Sequence, residues 1–274
     1  MKSNYHTHTY LCKHAIGKPI EYAYEANKVG IETLGFSCHA PVPVDYHKFE
    51  GHMARSASNN MTFEELEFVY LKEIDEARKA FKNMKIINGL ETEFYVNQDE
   101  HYKKLLSYVD YLVLGQHVCY DPTSDTYKDL FETFDNRFLK YYVHDVIKGI
   151  ESGYFKILAH PDLYMNSYVS KNGNFGEFDE DCEKAARMII EKCIENNVII
   201  ELNAGALRKG KQVIFNGEEL YRFPRVEFWK IAKEYDKLEI VIGADAHNPL
   251  HISNEFVPIV EEFAKKIGLN IKNI

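Results

Sequence analysis

Along this chain short apolar runs alternate with longer stretches of helical periodicity. Residues 4–8 (Asn-Tyr-His-Thr-His) read as an extended polar strand, and apolar runs follow at 33–37, 85–94, 111–115, 155–159, 198–203 and 239–243. Helix signals lie between them. Pro19 in a first-turn position and Gly30 at the stop bound a helix over 19–29. Thr62 with Glu65 three residues on is a capping box, and Phe63, Leu66, Val69, Tyr70 and Ile74 make the apolar side of the helix it opens. Further helices are predicted over 137–151, 226–235 and 255–266, and one ending at Asn196 whose acidic entry, 177–183, complements the helix dipole. The polar segments 40–61, 120–136 and 163–178 read as loops. A loop as long as 40–61 in a compact domain tends to serve as a functional lid.

Strands alternating with helices imply a parallel sheet with right-handed crossovers. Seven such units, with strands apolar enough to be buried on both faces, suit a barrel better than an open sheet. No glycine-rich phosphate turn follows the first strand, so dinucleotide binding is not indicated. No repeat beyond the strand–helix period is evident. At 274 residues the expectation is one α/β barrel domain, 1–274.

Composition narrows the function classes. A hydrophobic fraction of 45% fits a globular protein, and no apolar run is long enough to span a bilayer. Five cysteines, an odd number without any Cys-x-x-Cys, and the lack of a signal-peptide pattern predict a reduced, cytoplasmic protein. A net charge of −9 argues against a nucleic-acid surface, which normally needs a basic face. It leaves room for an anionic small substrate, because bound cations can dominate the local field.

Candidate chemistry sits where the strands end. His6 and His8 share a face of the first strand, about 6.5–7 Å apart at Cα. His14 lies just beyond, and His39, Glu91, His117, His160, Asp245 and His247 stand at later strand ends, the end that carries the active site in such barrels. Any one of these histidines alone would more often be a loop hydrogen-bonder than a ligand. Nine converging on one rim read differently, since each unsatisfied buried polar group would cost about 1–3 kcal/mol. Imidazole plus carboxylate suits zinc, iron or manganese better than magnesium or calcium. Seven imidazoles and two carboxylates are too many for one ion. A bridging carboxylate is then needed, with Glu91 and Glu93 as the two candidates on one strand face. Cys12 and Cys38 read as packing residues, and His101, His144 and His251 as solvated. Tyr46, Tyr120 and Tyr164 are candidates for the pocket wall.

Taken in order, His6-x-His8, His14, Phe36-Ser-Cys-His39, Gly89-Leu-Glu91, Leu114-Gly-Gln-His117, Ala159-His160-Pro-Asp-Leu and Gly243-Ala-Asp-Ala-His247 resemble the polymerase and histidinol phosphatase (PHP) superfamily. Glu201-Leu-Asn-Ala-Gly-Ala-Leu-Arg208-Lys looks like its histidinol-phosphatase branch. The resemblance covers essentially the whole chain. It implies a distorted (β/α)7 TIM-like barrel with up to three divalent transition-metal ions at the C-terminal ends of the strands. By that resemblance His6, His8, Glu91 and Asp245 hold one ion. Glu91 bridges to a second held by His117 and His160, and His14, His39 and His247 take the third. Relatives often carry a phosphate-binding arginine after the His-Pro-Asp-Leu run, where this chain has Tyr164-Met165-Asn166. Arg208, Lys209, Arg55 and His52 are the candidates to replace it.

The expected activity is phosphomonoester hydrolysis, most specifically of L-histidinol phosphate in histidine biosynthesis, by a metal-bridging hydroxide that two ions make available at neutral pH. Asp245, His247 or a water would protonate the leaving alkoxide. The expected partner is a small phosphorylated substrate, with no nucleic acid or membrane. Within the fold, the alternative is a phosphoesterase acting on another small phosphate or a nucleotide or nucleic-acid end. A mononuclear deaminase would want fewer histidines, and a non-catalytic metal-binding module would not need the full ligand set.

Overall fold

The computed structural model describes residues 1–43, 46–51, 60–132, 134–211, 213–215, 217–254 and 256–273, without the side chains of Tyr46, Lys209 and Phe215. Among the described residues, seven parallel strands form one sheet in sequential order. They are β1 (Ser3–Asn4), β2 (Thr33–His39), β3 (Lys85–Thr92), β4 (Tyr111–Leu114), β5 (Phe155–Leu158), β6 (Ile199–Asn203) and β7 (Ile240–Gly243). A parallel bridge between Thr7 and Ala246 brings the last strand back to the first, so the sheet nearly closes. Asn4 clasps that seam. Its Oδ1 accepts from the Ala244 amide at 2.8 Å and its Nδ2 donates to Thr7 Oγ1 at 2.7 Å. The expected barrel is what forms.

The first strand is shorter than expected. Beyond Asn4 the chain divides its backbone bonds between two neighbours. Thr7 O accepts from Ser37 N at 2.9 Å on one side, and His8 N donates to Ala246 O at 2.9 Å on the other. Serving both strands breaks the regular ladder yet keeps the segment extended, so His6 and His8 still face the same way.

Helices cover the outside. The helix Pro19–Lys28 starts on its proline as expected, and Asn136–Glu151 and Glu180–Asn196 are N-capped by Asp135 and Asp179. The capping box of Thr62 and Glu65 is present, but its helix is not regular: a π-helical turn, Leu66–Tyr70, precedes Leu71–Ala80. There the Tyr70 hydroxyl accepts from Cys38 N at 3.2 Å and donates to Gly89 O at 2.9 Å, tying β2 to β3 below the strand ends. The segments expected as loops carry more structure than their polarity suggested. Val118–Asp121 pairs with Thr126–Asp129 as a hairpin, its turn tied by Asp121 to Thr123, and Phe134–Asp135 pairs with Tyr168–Val169. A helix, Asp99–Leu106, fills the β3–β4 crossover.

Inside the barrel, Tyr5, Tyr111, Val113, Ile157 and Ala159 form an apolar plug. The Tyr111 hydroxyl shares its hydrogen between Tyr5 O at 2.8 Å and Phe36 O at 3.0 Å, which ties β4 to the first two strand segments across this floor. No helix among the described residues is long and apolar enough to cross a membrane.

Candidate metal centre

Above that floor the structure brings all nine candidate residues together, each by a local device. Thr9 caps a short 3-10 turn, Tyr10–Cys12, and Lys13 takes a left-handed φ of 63°, which folds His14 back over the first strand. His39 ends β2 in register with Glu91 of β3. Past β4, the Gln116 side chain accepts from Phe94 N at 2.8 Å and donates to Val118 O at 2.8 Å, fixing the segment that presents His117. His160 and Asp245 sit just past β5 and β7 with φ of 32° and 46°. Non-glycine residues rarely adopt these values, and such strain is kept where surrounding contacts demand it.

Glu91 is the centre of the arrangement. Its Oε2 lies 3.4 Å from His6 Nε2, 3.4 Å from His8 Nε2 and 3.3 Å from His39 Nδ1. Its Oε1 lies 3.1 Å from His160 Nε2 and 3.6 Å from His117 Nε2. Asp245 Oδ1 closes the first group at 3.6 Å from His6 Nε2 and 3.4 Å from His8 Nε2. His14 and His247 join through ring contacts, His247 stacked on His8 and His14 tilted against His39 and His247. The His14 and His247 centroids are 5.0 Å apart, with His14 5.1 Å from His39 and His247 4.1 Å from His8.

A second layer of carboxylates orients the rings. Glu201 Oε2 accepts from His6 Nδ1 at 2.7 Å, and Glu93 Oε1 accepts from His117 Nδ1 at 2.9 Å. A proton held on Nδ1 by each acceptor leaves the Nε2 lone pair facing the cluster. Glu201 is itself held by Asn203 Nδ2 at 2.5 Å, and Glu93 by the Tyr95 hydroxyl at 2.7 Å. Small neighbours make room for two of these carboxylates: a Cβ at Gly115 would overlap Glu91, and one at Gly243 would overlap Glu201. Glu201→Gln should therefore weaken metal binding by about 10–100-fold while the fold persists. A competitive chelator titration reads this directly.

Charge coupling inside the cluster is strong. Burial pulls the His6 pKa down, but Glu201, Glu91 and Asp245 outweigh it and hold the ring well above its ordinary value. Burial pushes Glu91 up, and the charges of His6, His117 and His39 outweigh that and hold it well below the carboxylate range. Burial leaves His39 and His247 well below the usual imidazole value. Mixed imidazoles and carboxylates packed this way attract a positive charge in their midst, whether protons or a cation. Two buried ring nitrogens, His8 Nδ1 and His160 Nδ1, have no hydrogen-bond partner among the described residues. The donors group geometrically as His6, His8 and Glu91, as Glu91, His117 and His160, and as His8, His39 and His247, each set within 4.8 Å. That donor set fits first-row transition ions.

Of the basic candidates, Arg208 lies at the rim. Its terminal nitrogens donate to the carbonyls of Ala244 (3.3 Å) and Asp245 (3.0 Å), so part of its fork is committed to the turn that carries Asp245. His52 and Arg55, and the side chains of Lys209 and Tyr46, lie outside the described residues. Three expectations are corrected. Tyr164 is fully buried among Tyr142 and Tyr168 and donates to Cys182 O, so it belongs to the core and not to a pocket wall. His251 accepts the His247 amide at 3.2 Å, and His101 is half-buried under the Phe63 ring with its pKa pushed down to about 4 by burial. Neither is simply solvated. Unforeseen in the sequence are Phe131, stacked on His117 at 5.8 Å, and Phe223, edge-on to His160 at 6.3 Å, which wall the side of the cluster around Glu91 Oε1. No motif marked them.

The chain is 26% identical over 263 residues to a protein of Deinococcus radiodurans named a probable histidinol-phosphatase, covering 94% of this chain and 90% of that one. It is 24% identical over 272 residues to the histidinol-phosphatase of Bacillus subtilis, covering 90% and 93%. Among solved structures, the histidinol phosphate phosphatase of Lactococcus lactis, crystallised with zinc, L-histidinol and phosphate, superposes with a TM-score of 0.68 at 15% identity over 98% of this chain and 95% of that one. Residues 4–205, which include β2 to β6 and seven of the nine candidate residues, match the model of the PHP domain, and the chain belongs to that family.

Proposed function

We propose that this chain is a metal-dependent phosphomonoesterase that hydrolyses L-histidinol phosphate to L-histidinol and phosphate. The observation that carries the reading is Glu91, whose two oxygens face two separate sets of imidazoles at 3.1–3.6 Å. The names of the relatives, and the zinc, histidinol and phosphate bound by the Lactococcus protein, support the substrate. In this reading His6, His8, Glu91 and Asp245 would hold one ion. His117 and His160, with Glu91, would hold a second, and His14, His39 and His247 would hold a third.

When bound, the ions supply Lewis acidity at the phosphoryl oxygens and acidify a water. The chain's own residues do the rest. Glu91 keeps the two groups of donors at a fixed separation, and Glu201 and Glu93 keep the Nε2 atoms of His6 and His117 aimed inward. Asp245 and His247 are 18% and 22% exposed at their side chains, against 1% for His6, His8 and Glu91. With the exposed His14 they form the solvent side of the cluster, where a water held against Asp245 and His247 would hand a proton to the leaving alkoxide. The apolar plug that includes Tyr111 and Val113 packs below the cluster.

Arg208 already gives two N–H groups to main-chain carbonyls, and its other N–H donors are the candidates for a phosphate grip. Arg208→Lys should lose about 1.5–3 kcal/mol of transition-state stabilisation, the scale of a charged hydrogen bond, read as kcat/KM for histidinol phosphate. An unchanged value would pass the role to His52, Arg55 or Lys209. The reading as a whole is tested by phosphate release from histidinol phosphate beside nucleoside monophosphates and sugar phosphates. Histidinol phosphate should be turned over fastest. Faster turnover of a nucleotide would move the chain to another phosphoesterase role on the same centre.

A further inference from the structure

Next to the imidazole–carboxylate cluster lies a pair of thiols that the proposed function does not use. Cys12 and Cys38 are both fully buried, and their sulfurs and a ring nitrogen of His8 lie within 4.8 Å of one another. Cys12 Sγ also forms a second group, within 4.8 Å, with ring nitrogens of His14 and His247. Sulfur–zinc and nitrogen–zinc bonds are about 2.3 and 2.0–2.1 Å, so donors that share one ion stand at most about 4.4 Å apart, and those three, all within 4.8 Å, need only close in to do so. The 3-10 turn capped by Thr9 is what brings Cys12 and His14 onto one side. We propose that Cys12 supplies a thiolate to the cation held by His14, His39 and His247, which makes this site softer than its two neighbours. The inference rests on the metal-centre reading above.

The local hydrogen bonding admits the change. Both thiols point at one acceptor, Thr9 O, with Cys12 Sγ at 3.2 Å and Cys38 Sγ at 3.6 Å, while Thr9 Oγ1 donates to Cys38 Sγ at 3.4 Å. If Cys12 gives up its proton, Cys38 still serves the carbonyl, and no buried acceptor is stranded. On binding, the Cys12 S–H bond breaks, its proton passes to solvent, and a sulfur–metal bond forms. Nothing is oxidised or reduced. His14 is exposed and His247 half-buried, so the cation can enter from the rim although Cys12 itself is enclosed. A thiolate beside imidazoles makes a donor set that favours zinc over manganese or magnesium.

Cobalt(II) added to the metal-free full-length protein is the probe. Imidazole–carboxylate coordination gives visible d–d absorption, and a thiolate ligand adds a charge-transfer band in the near ultraviolet. The wild type should show both, Cys38→Ser should keep the charge-transfer band, and Cys12→Ser should lose it while keeping d–d absorption from the other sites. Should Cys12→Ser fail to fold, Cys38→Ser decides alone, because Cys12 is then the one thiol left beside these ligands. The inference is overturned if the wild type shows d–d absorption without charge transfer, or if the band follows Cys38. Absence of any cobalt absorption would instead sink the metal-centre reading itself.

Discussion

Replacing Glu91 with glutamine is expected to reduce phosphate release by at least about 10³-fold, the scale of removing a group that stabilises charge in a transition state, and to take at least one ion out of the purified protein. The argument is geometric. Each Glu91 oxygen faces different imidazoles, so one neutral amide would offer a single oxygen where two are used and turn an N–H donor toward the other set. Glu93→Gln makes the same chemical change two residues away and should be milder. Its carboxylate orients His117 through Nδ1, and losing such an outer partner typically lowers metal affinity or activity by about 10–100-fold. Metal analysis and turnover of both variants check the pair. If Glu93→Gln were the more damaging, Glu93 and not Glu91 would be the bridge.

Chelation should have the second large effect. Ions that bind only the folded state add about 2.7 kcal/mol at a free concentration one hundred times Kd. For a chain of this size 1 kcal/mol corresponds to about 2–4 °C in Tm, so a strong chelator should lower Tm by about 5–10 °C and abolish activity. Zinc or manganese restored in excess should recover both. Melting followed by calorimetry, with turnover measured on the same samples, checks it. A chelated protein that kept full activity would mean that the cluster is not the seat of catalysis.

The barrel and its rim were legible because each depends on short-range pattern. Apolar runs such as Tyr111–Leu114 end abruptly at polar ligand-type residues, and the end of a parallel strand is a position that any sequence reading can locate. Between Glu91 and Glu93 the residues alone did not choose, and the family resemblance pointed to Glu91. Both were expected on one strand face, and the structure puts the first among the imidazoles and the second behind His117. What stayed hidden depends on contacts between distant parts of the chain. Glu201 meets His6 across 195 residues, and it fits only because position 243, on the neighbouring strand, has no Cβ. Phe131 and Phe223 come from polar connecting segments with no periodicity to mark them. The hairpin Val118–Asp121 with Thr126–Asp129 was missed because its polar residues read as a loop, while its pairing depends on Asp121 tying the turn. Cys12 was set aside as packing because a thiolate is unusual among imidazoles and carboxylates, and only the fold of the Tyr10–Cys12 turn shows how near it lies to His14 and His247.

The central claim is that one carboxylate organises a centre of more than one ion. Metal content per chain, measured by elemental analysis on protein whose histidinol-phosphate turnover is recorded from the same sample, tests it most directly. The account predicts two to three first-row transition ions in fully active protein, with activity rising as the sites fill. Full activity with one ion per chain, or none, would contradict it.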